Sequence, residues 1–563
     1  MHASARRAAR SILAPAGGIV LDNSDQQNNP TTAPAGWDRR SFLKAGGLTI
    51  GGVGLASLLA ACGAGGGTGG SGGGALALRM PFLADMQVPD PDIMYEGEGA
   101  QVMEFCYEGL VRYKPGSAEF LPALAKSWTV SPDQLTYTFT LEPGVKFHDG
   151  TPADAEAWTK SFERRKMINQ GPAYMVAGVA KTAAPGPTTF VVTLSEPNNA
   201  FMHYLACPWQ PFAVSPTAVS TNAVGDDLAQ EWLKTNDAGC GPYMISEFVP
   251  GSHYTLKAFA DYWRGKPAFE TIRVDITPSI ATQKLQLDSG AFDLVSKGFP
   301  IPDVLSYQQN PKFTVVNAIG GVGEAIWLNP TSGIFTDAKL RKAMMTALDR
   351  KAIVDTAWSG LATAQESMWP KDSLPPAMAP FPLDVDTAPL KALVPSLPKK
   401  TIDLAWAADG GAPRQQMAEL IQSQLAALGL DVAVRTLPVA EMFDLANQPP
   451  EKRPDMMVAF LGGDTLHLDT TFRILLRTGA KPLNFYQYSN PELDQLMDEA
   501  VRKPTTSEMN AVYQQCSQIV IDDAIWVPLC LPPNSTITQS YLTGIQSNSF
   551  YPQIFWPPSL KRA

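Results

Sequence analysis

The residues of this 563-residue chain with the means to do chemistry are few: six cysteines, five histidines, and a handful of carboxylates and aromatic side chains on glycine-rich loops. No cysteine stands at CxxC spacing, and His2, His148, His203, His253 and His467 are isolated from one another and from any cysteine pair. No metal site and no cofactor are therefore expected. The one formal match to a hydrolase nucleophile elbow, GGSGG at 69–73, has neither a strand before it nor a helix after it, and there is no HExxH. The chain is accordingly not expected to be an enzyme; a secreted hydrolase is the remote alternative. What remains is the chemistry of binding. Asp464 follows Gly462 and Gly463 behind the apolar run MMVAFL. A carboxylate on such a glycine-lightened loop is a seat for a cation, the glycines letting backbone approach a ligand. Trp406, at the end of another strand-like run, offers a flat apolar wall or else packs in the core.

A second cluster of chemistry lies near the start. Arg39, Arg40 and Lys44 precede a charge-free, Gly/Ala/Leu-rich run at 45–61, which leads through LAA to Cys62. That run is too short and glycine-rich for a comfortable bilayer-spanning helix, which needs about 20 strongly apolar residues. It reads as the apolar region of a signal peptide, with small side chains before a cut. RRSFLK resembles the twin-arginine export motif, with Asp38 where Ser or Thr is usual, and LAAC resembles a bacterial lipobox. The resemblance implies that residues 1–61 are removed and that Cys62 becomes a lipid-bearing N-terminus. An uncleaved N-terminal anchor is the alternative. Residues 62–75 then form a flexible Gly/Ser tether.

Removing residues 1–61 takes away six basic and three acidic side chains, which moves the net charge from −10 to −13. Such an acidic body repels nucleic acid, and that class of partner is excluded. About 500 residues exceed what a single core organises, so two or three lobes are expected. No later apolar run approaches membrane-spanning length. With Cys62 lipidated, the other five cysteines are expected as buried free thiols; a Cys207–Cys240 disulfide is an alternative in an oxidising compartment.

The elements that must position these residues alternate between strand and helix. Residues 75–85 read as a first strand, and the turn residues of PDPDIMYEGEG break it. Apolar side chains from Val102 to Leu110 fall at helical spacing. Leu135, Tyr137, Phe139 and Leu141 alternate with threonines along one strand face. Thr151 is expected to cap the helix that follows, with Pro152 in its first position and Asp154 and Glu156 at its positive end. The prolines of residues 369–400 mark a long irregular wrap and a boundary. Beyond it TIDLAWAADGG, APRQQMAELIQSQLAALGL and DVAVRTLP spell a βαβ unit.

Five blocks in order carry a resemblance. Residues 120–165 (FLPALAKSWTVSPDQLTYTFTLEPGVKFHDGTPADAEAWTKSFERR), 239–277 with GCGPY and DYWRGKP, LDSGAFDL at 287–294, 328–354, and YSNPELDQLMDEA at 488–500 resemble the bacterial extracellular solute-binding proteins of the peptide/nickel type. These are the binding subunits of ABC importers. The resemblance implies an α/β, two-lobed, periplasmic-binding-protein-like clamp with an extra subdomain inserted in the first lobe. Residues 76–105, 216–318 and 530–563 would form lobe I, 106–215 the inserted subdomain, and 319–529 lobe II. It also implies a small-molecule or peptide ligand, an ABC permease with its ATPase as partners, a monomer held to the cell envelope by its lipid, and short peptides as cargo.

In peptide-binding members an Asp within a W-x-A-D-Y-x-[DE]-P stretch pairs with the ligand's α-ammonium. FLGGDTLHLDTTF at 460–472 corresponds to it, which puts Asp464 in that role and His467 near the second acidic position. Leu461 stands where Trp is common. The family's ligand-touching loop after the first strand corresponds to DIMYEGEG and nominates Tyr95 and Glu96. His148 is expected on a turn of the inserted subdomain, without a ligand. A nickel complex, an oligosaccharide or another small solute stays open as cargo, and so does a sensor that imports nothing.

Overall fold

Strand runs, some alternating apolar with polar side chains and others apolar throughout, assemble into separate sheets, the four larger of which pack against helices. A computed structural model describes residues 76–367 and 380–563. The export segment with Arg39 and Arg40, the acceptor Cys62, and the start of the proline-rich wrap lie outside the described residues.

The first strand, Ala77–Phe82, runs parallel to Thr271–Ile276, which continues antiparallel through His253–Ala258 to Tyr243–Val249. A second four-stranded sheet orders Ala125–Val130, Thr136–Leu141, Thr189–Leu194 and Val179–Gly186. In Thr136–Leu141 the buried residues are Tyr137, Phe139 and Leu141, the alternation a half-covered strand requires. The third sheet has five strands in the order Asp431–Leu437, Thr401–Ala407, Met456–Leu461, Gly323–Leu328 and Trp526–Cys530. Thr401–Ala407 is parallel to both its neighbours, with helix Gly411–Ala426 as the crossover to Asp431–Leu437. This is the βαβ unit expected from the sequence.

The chain passes twice, side by side, between this sheet and a three-stranded one. Phe313–Ile319 pairs with Pro533–Gln539 in the smaller sheet, while their continuations Gly323–Leu328 and Trp526–Cys530 pair in the larger. Two adjacent antiparallel connectors of this kind allow two bodies to move about a common axis.

Several local expectations are corrected. The helix after the Pro-Gly turn is Ala155–Ile168, and its cap is Asp154 rather than Thr151. The Asp154 carboxylate accepts from the amides of Glu156 and Ala157, both at 3.1 Å. Thr151 instead turns its hydroxyl to Asp149, and Pro152 forms a β-bridge with Lys146. The helix around Val102 spans Gly97–Cys106 and leaves Leu110 outside, just before strand Val111–Tyr113. The proline-rich wrap holds a short helix, Ala388–Leu393, anchored by buried Leu390. Cys207 and Cys240 are free and buried, as are Cys106, Cys516 and Cys530. His148 is buried between the Asp237 carboxylate and the Gly241 carbonyl, 3.0 Å from the latter. Among the described residues no helix is long and apolar enough to cross a membrane.

Candidate ligand-binding site

The site begins with a loop that is not free to move. Asp90 and Asp92, both buried, follow the first strand, and helix Ala155–Ile168 delivers two consecutive arginines to them. Arg164 donates to Asp90 at 2.8 and 2.6 Å and to Asp92 at 2.6 Å. Arg165 donates to Asp92 at 2.8 Å and to the carbonyls of Pro91, Trp209 and Gln210 at 2.8, 3.0 and 2.9 Å. Two positive and two negative charges are thus matched in the interior, and the remaining guanidinium donors are used on backbone. Both conditions are needed for a buried ionic cluster to be tolerated. Its consequence is positional, because it ties the segment leading to Tyr95 to the segment carrying Trp209.

Tyr95 and Trp209 meet edge to face with centroids 5.1 Å apart, and Trp209 meets Tyr551 in the same manner at 4.9 Å. Tyr174, from the short 3-10 segment Gly171–Val176, stands against Tyr204 at 5.9 Å. Glu96 is the N-cap of Gly97–Cys106 and accepts from the amides of Glu98 and Gly99, each at 2.7 Å.

The opposite wall comes from the loop after Met456–Leu461. Gly462 and Gly463 both line the cavity and also permit tight folding of this loop. A Cβ on Gly462 would lie 2.9 Å from the Gly321 carbonyl, and one on Gly463 would lie 2.7 Å from Thr470 and Thr471. The turn they permit brings Asp464, only 7% exposed, to face the aromatic wall. The hydroxyls of Tyr95 and Tyr174 both donate to its Oδ2. Burial pushes the Asp464 carboxyl above the ordinary carboxylate range, against the two tyrosine hydrogen bonds that act to lower it. Burial and the neighbouring carboxylate together push both tyrosines upward, so they remain donors. Among the described residues Asp464 forms no ion pair.

These groups line one cavity of about 690 Å³, within the range of small-ligand sites. Tyr95, Glu96, Tyr174, Trp209 and Asp464 line it together with Arg473, Arg477, Lys481, Phe443, Phe460 and Tyr551. Arg473 is held by Asp469 at 2.9 and 2.8 Å and by Asp498 at 2.9 Å, while Arg477 grips Asp498 at 2.6 and 3.0 Å. Hydrogen bonds from Arg477 and Arg473 hold Asp498 down at about 2.

Of the five residues nominated from sequence, Tyr95, Glu96 and Asp464 line this cavity. Trp406 and His467 do not. Trp406 is half-buried on Thr401–Ala407 and packs against the core. His467 turns away to cap helix Leu468–Leu476, its Nδ1 accepting from the Asp469 amide at 3.1 Å. Its ring lies 4.9 Å from that of His203 beside a separate crevice, and burial lowers it to about 4. Tyr174, Trp209, Tyr551 and the three basic residues were not singled out in the sequence. The aromatic density of FMHYLACPWQPF and FYPQIFW was the available signal for two of them.

Residues 119–482 match the family described as bacterial extracellular solute-binding proteins, family 5 Middle. The chain belongs to this family. It is 29% identical over 484 residues to the probable D,D-dipeptide-binding periplasmic protein DdpA of Escherichia coli K12, covering 84% of this chain and 92% of that protein. Among solved structures it is similar to the periplasmic binding protein DppA of Helicobacter pylori in complex with the peptide STSA. There the TM-score is 0.71 at 22% identity, over 87% and 98% of the two chains. It is also similar to NikZ of Campylobacter jejuni in complex with Ni(L-His), with a TM-score of 0.74 at 17% identity over 86% and 99%. The family 5 chain is therefore an extracytoplasmic solute-binding protein of an ABC importer with the two-lobed fold. Its relatives are binding proteins of transporters, not enzymes.

Proposed function

We propose that this family 5 protein binds short peptides and that Asp464 receives their N-terminal ammonium. The observation that carries this reading is a buried carboxylate, held only by neutral tyrosine hydroxyls, on the wall of an aromatic-lined cavity. An isolated buried charge is costly, and either a proton or a ligand cation relieves it. An ammonium supplies the missing charge, and the rings of Tyr95, Trp209 and Tyr551 give it a favourable electrostatic surface as well. A ligand touching both walls favours the closed form by its differential affinity for it, and the permease then distinguishes loaded from empty protein by shape. DdpA is named for D,D-dipeptides and DppA is seen with a tetrapeptide, which is in keeping with this cargo.

We assign residues 76–105, 216–318 and 530–563 to one lobe, 319–529 to the other, and 106–215 to the inserted subdomain. The protein acts as a monomer, exported through the Arg39-Arg40 motif and tethered by a lipid on Cys62 through a flexible arm. The test is calorimetry on ligand-stripped protein with a tripeptide and its N-acetylated form. Binding of the free peptide alone supports the proposal, and equal binding of the two overturns it.

A further inference from the structure

A second set of bonds crosses between distant parts of the chain through residues that do not line the cavity. The last carbonyls of a helix have no amide further along the helix to answer them. At the end of helix Pro491–Ala500 the donor is Asn199, from the segment before helix Phe201–Tyr204. Its backbone amide donates to the Val501 carbonyl at 2.9 Å, and its Nδ2 donates to the carbonyls of Ala500 at 2.8 Å and Lys503 at 3.3 Å. The neighbouring Asn198 is pinned in turn: its carbonyl accepts from the Tyr137 hydroxyl at 3.3 Å and its Oδ1 from the Ala200 amide at 2.9 Å. Beside this junction Arg502 meets Glu196 at 2.9 and 2.8 Å, an exposed pair of small effect. Gln134, on the turn between Ala125–Val130 and Thr136–Leu141, donates from its side chain to the Pro504 carbonyl. It does so from a φ of 57°, in the left-handed region that a residue with a side chain adopts at a cost. Further along the same seam the Leu466 amide donates to the Tyr113 hydroxyl at 3.3 Å, and the rings of His203 and His467 lie 4.9 Å apart. A crevice of about 680 Å³ runs beside these residues and shares no lining residue with the ligand cavity.

We propose that this seam is a closure latch: Asn199, with Gln134 and Tyr113, sets the balance between the open and closed forms without touching the ligand. This rests on the lobe assignment proposed above, under which these bonds join the inserted subdomain to lobe II and break when the jaws part. The apparent dissociation constant of a ligand is its intrinsic value divided by the fraction of protein in the binding-competent form. A bond made only in the closed form therefore tightens every ligand by one common factor, whatever the chemistry of that ligand. The cavity then decides which solute is held, and the latch decides how much of the interaction is consumed in shutting the jaws.

The experiment uses the mature chain with Cys62→Ser, stripped of ligand, because its five other cysteines are buried. Glu196→Cys and Arg502→Cys are introduced together, and a short bismaleimide joins them at a rate that follows the time spent with the seam shut. Adding Asn199→Ala should slow this rate by up to about tenfold, for two lost hydrogen bonds. With Glu196 and Arg502 in place, calorimetry on Asn199→Ala should show trialanine and tetraalanine weakened by one common factor, their ratio unchanged. Arg502→Glu, at an exposed position, should act in the same direction more weakly, and pairing it with Glu196→Arg should reverse the effect; this arm holds even where Asn199→Ala does not fold. An unchanged cross-linking rate overturns the latch, and so does a weakening confined to one peptide. A slowed rate with no binding of either peptide leaves the latch standing and defeats the peptide reading. Cross-linked protein that takes up trialanine as fast as the free protein shows that the two segments move as one body, which defeats the lobe assignment and the latch with it.

Discussion

Tyr95 and Asp464, 369 residues apart in the chain, meet in a hydrogen bond from phenol to carboxylate. Tyr174 donates to the same oxygen from another segment. The contact links the loop after the first strand to the loop after Met456–Leu461, so the seat proposed for the ligand's cation exists only when both are brought together. Replacing Asp464 with Asn keeps the shape and removes the charge. Affinity for peptides with a free amino terminus should fall by about 2–5 kcal/mol, the usual cost of leaving one partner of a buried charged pair alone. Calorimetry with free and N-acetylated peptides reads this directly; unchanged affinity for the free peptide would remove Asp464 from the site.

The raised Asp464 carboxyl has a pH signature. In the empty protein the folded state holds this proton to higher pH than the unfolded chain does, because burial outweighs the tyrosine hydrogen bonds. The site's contribution to stability is therefore greatest in acid and declines as pH rises from the ordinary carboxyl value through the raised one. A bound ammonium reverses the preference, so peptide binding just below the raised value should release a proton. Binding enthalpies measured in two buffers of different ionisation enthalpy should differ, and the difference should vanish in Asp464→Asn. Coincident enthalpies for the native protein would mean that the carboxylate is already ionised before peptide arrives.

Arg165 joins the Tyr95 loop to Trp209 through one buried guanidinium. Arg165→Ala leaves Asp92 with only its Arg164 contact and three carbonyls without a donor. A loss of about 3–5 kcal/mol in urea denaturation is expected. Arg165→Lys restores the charge but not the planar fork and should recover only part of it. If stability were unaffected but peptide affinity lost, the cluster would be a device for binding alone.

His148 provides a second pH-dependent element, outside the residues that line the cavity. Burial alone would lower it, but the Asp237 carboxylate and the Gly241 carbonyl prevail and hold it above the ordinary histidine value. The stabilisation is present in full below that ordinary value and is lost as pH rises through the raised one. Thermal melts across this window should show the decline, and His148→Gln should flatten it. A native profile as flat as the variant's would exclude the ion pair.

The lipid proposed on Cys62 carries its own test. Cys62→Ser should abolish incorporation of labelled fatty acid and move the protein out of the membrane fraction, without changing the peptide affinity of the body. Persistent membrane association of the variant would favour an uncleaved N-terminal anchor.

The sequence by itself determined the elements whose pattern is local. Period-two alternation in Thr136–Leu141, the βαβ unit from Thr401 to Leu437, and the five ordered blocks that resemble family 5 all depend on neighbours a few residues apart. The helix cap was misread at Thr151 because Asp149 competes for that hydroxyl and Asp154 offers a carboxylate to two amides. The wall of the site was only partly legible. Asp464 and Tyr95 stood out by loop position, whereas Tyr174, Trp209, Tyr551 and Lys481 come from segments with no common spacing. His467 and Trp406 sit close in sequence to true wall residues or strand ends, yet one caps a helix and the other faces the core. Side-chain direction at a loop or strand end is set by what packs behind it. Only the tertiary structure decided which residues share the cavity and that Asp464 lies there without a cation, because burial and charge balance are sums over groups from distant parts of the chain.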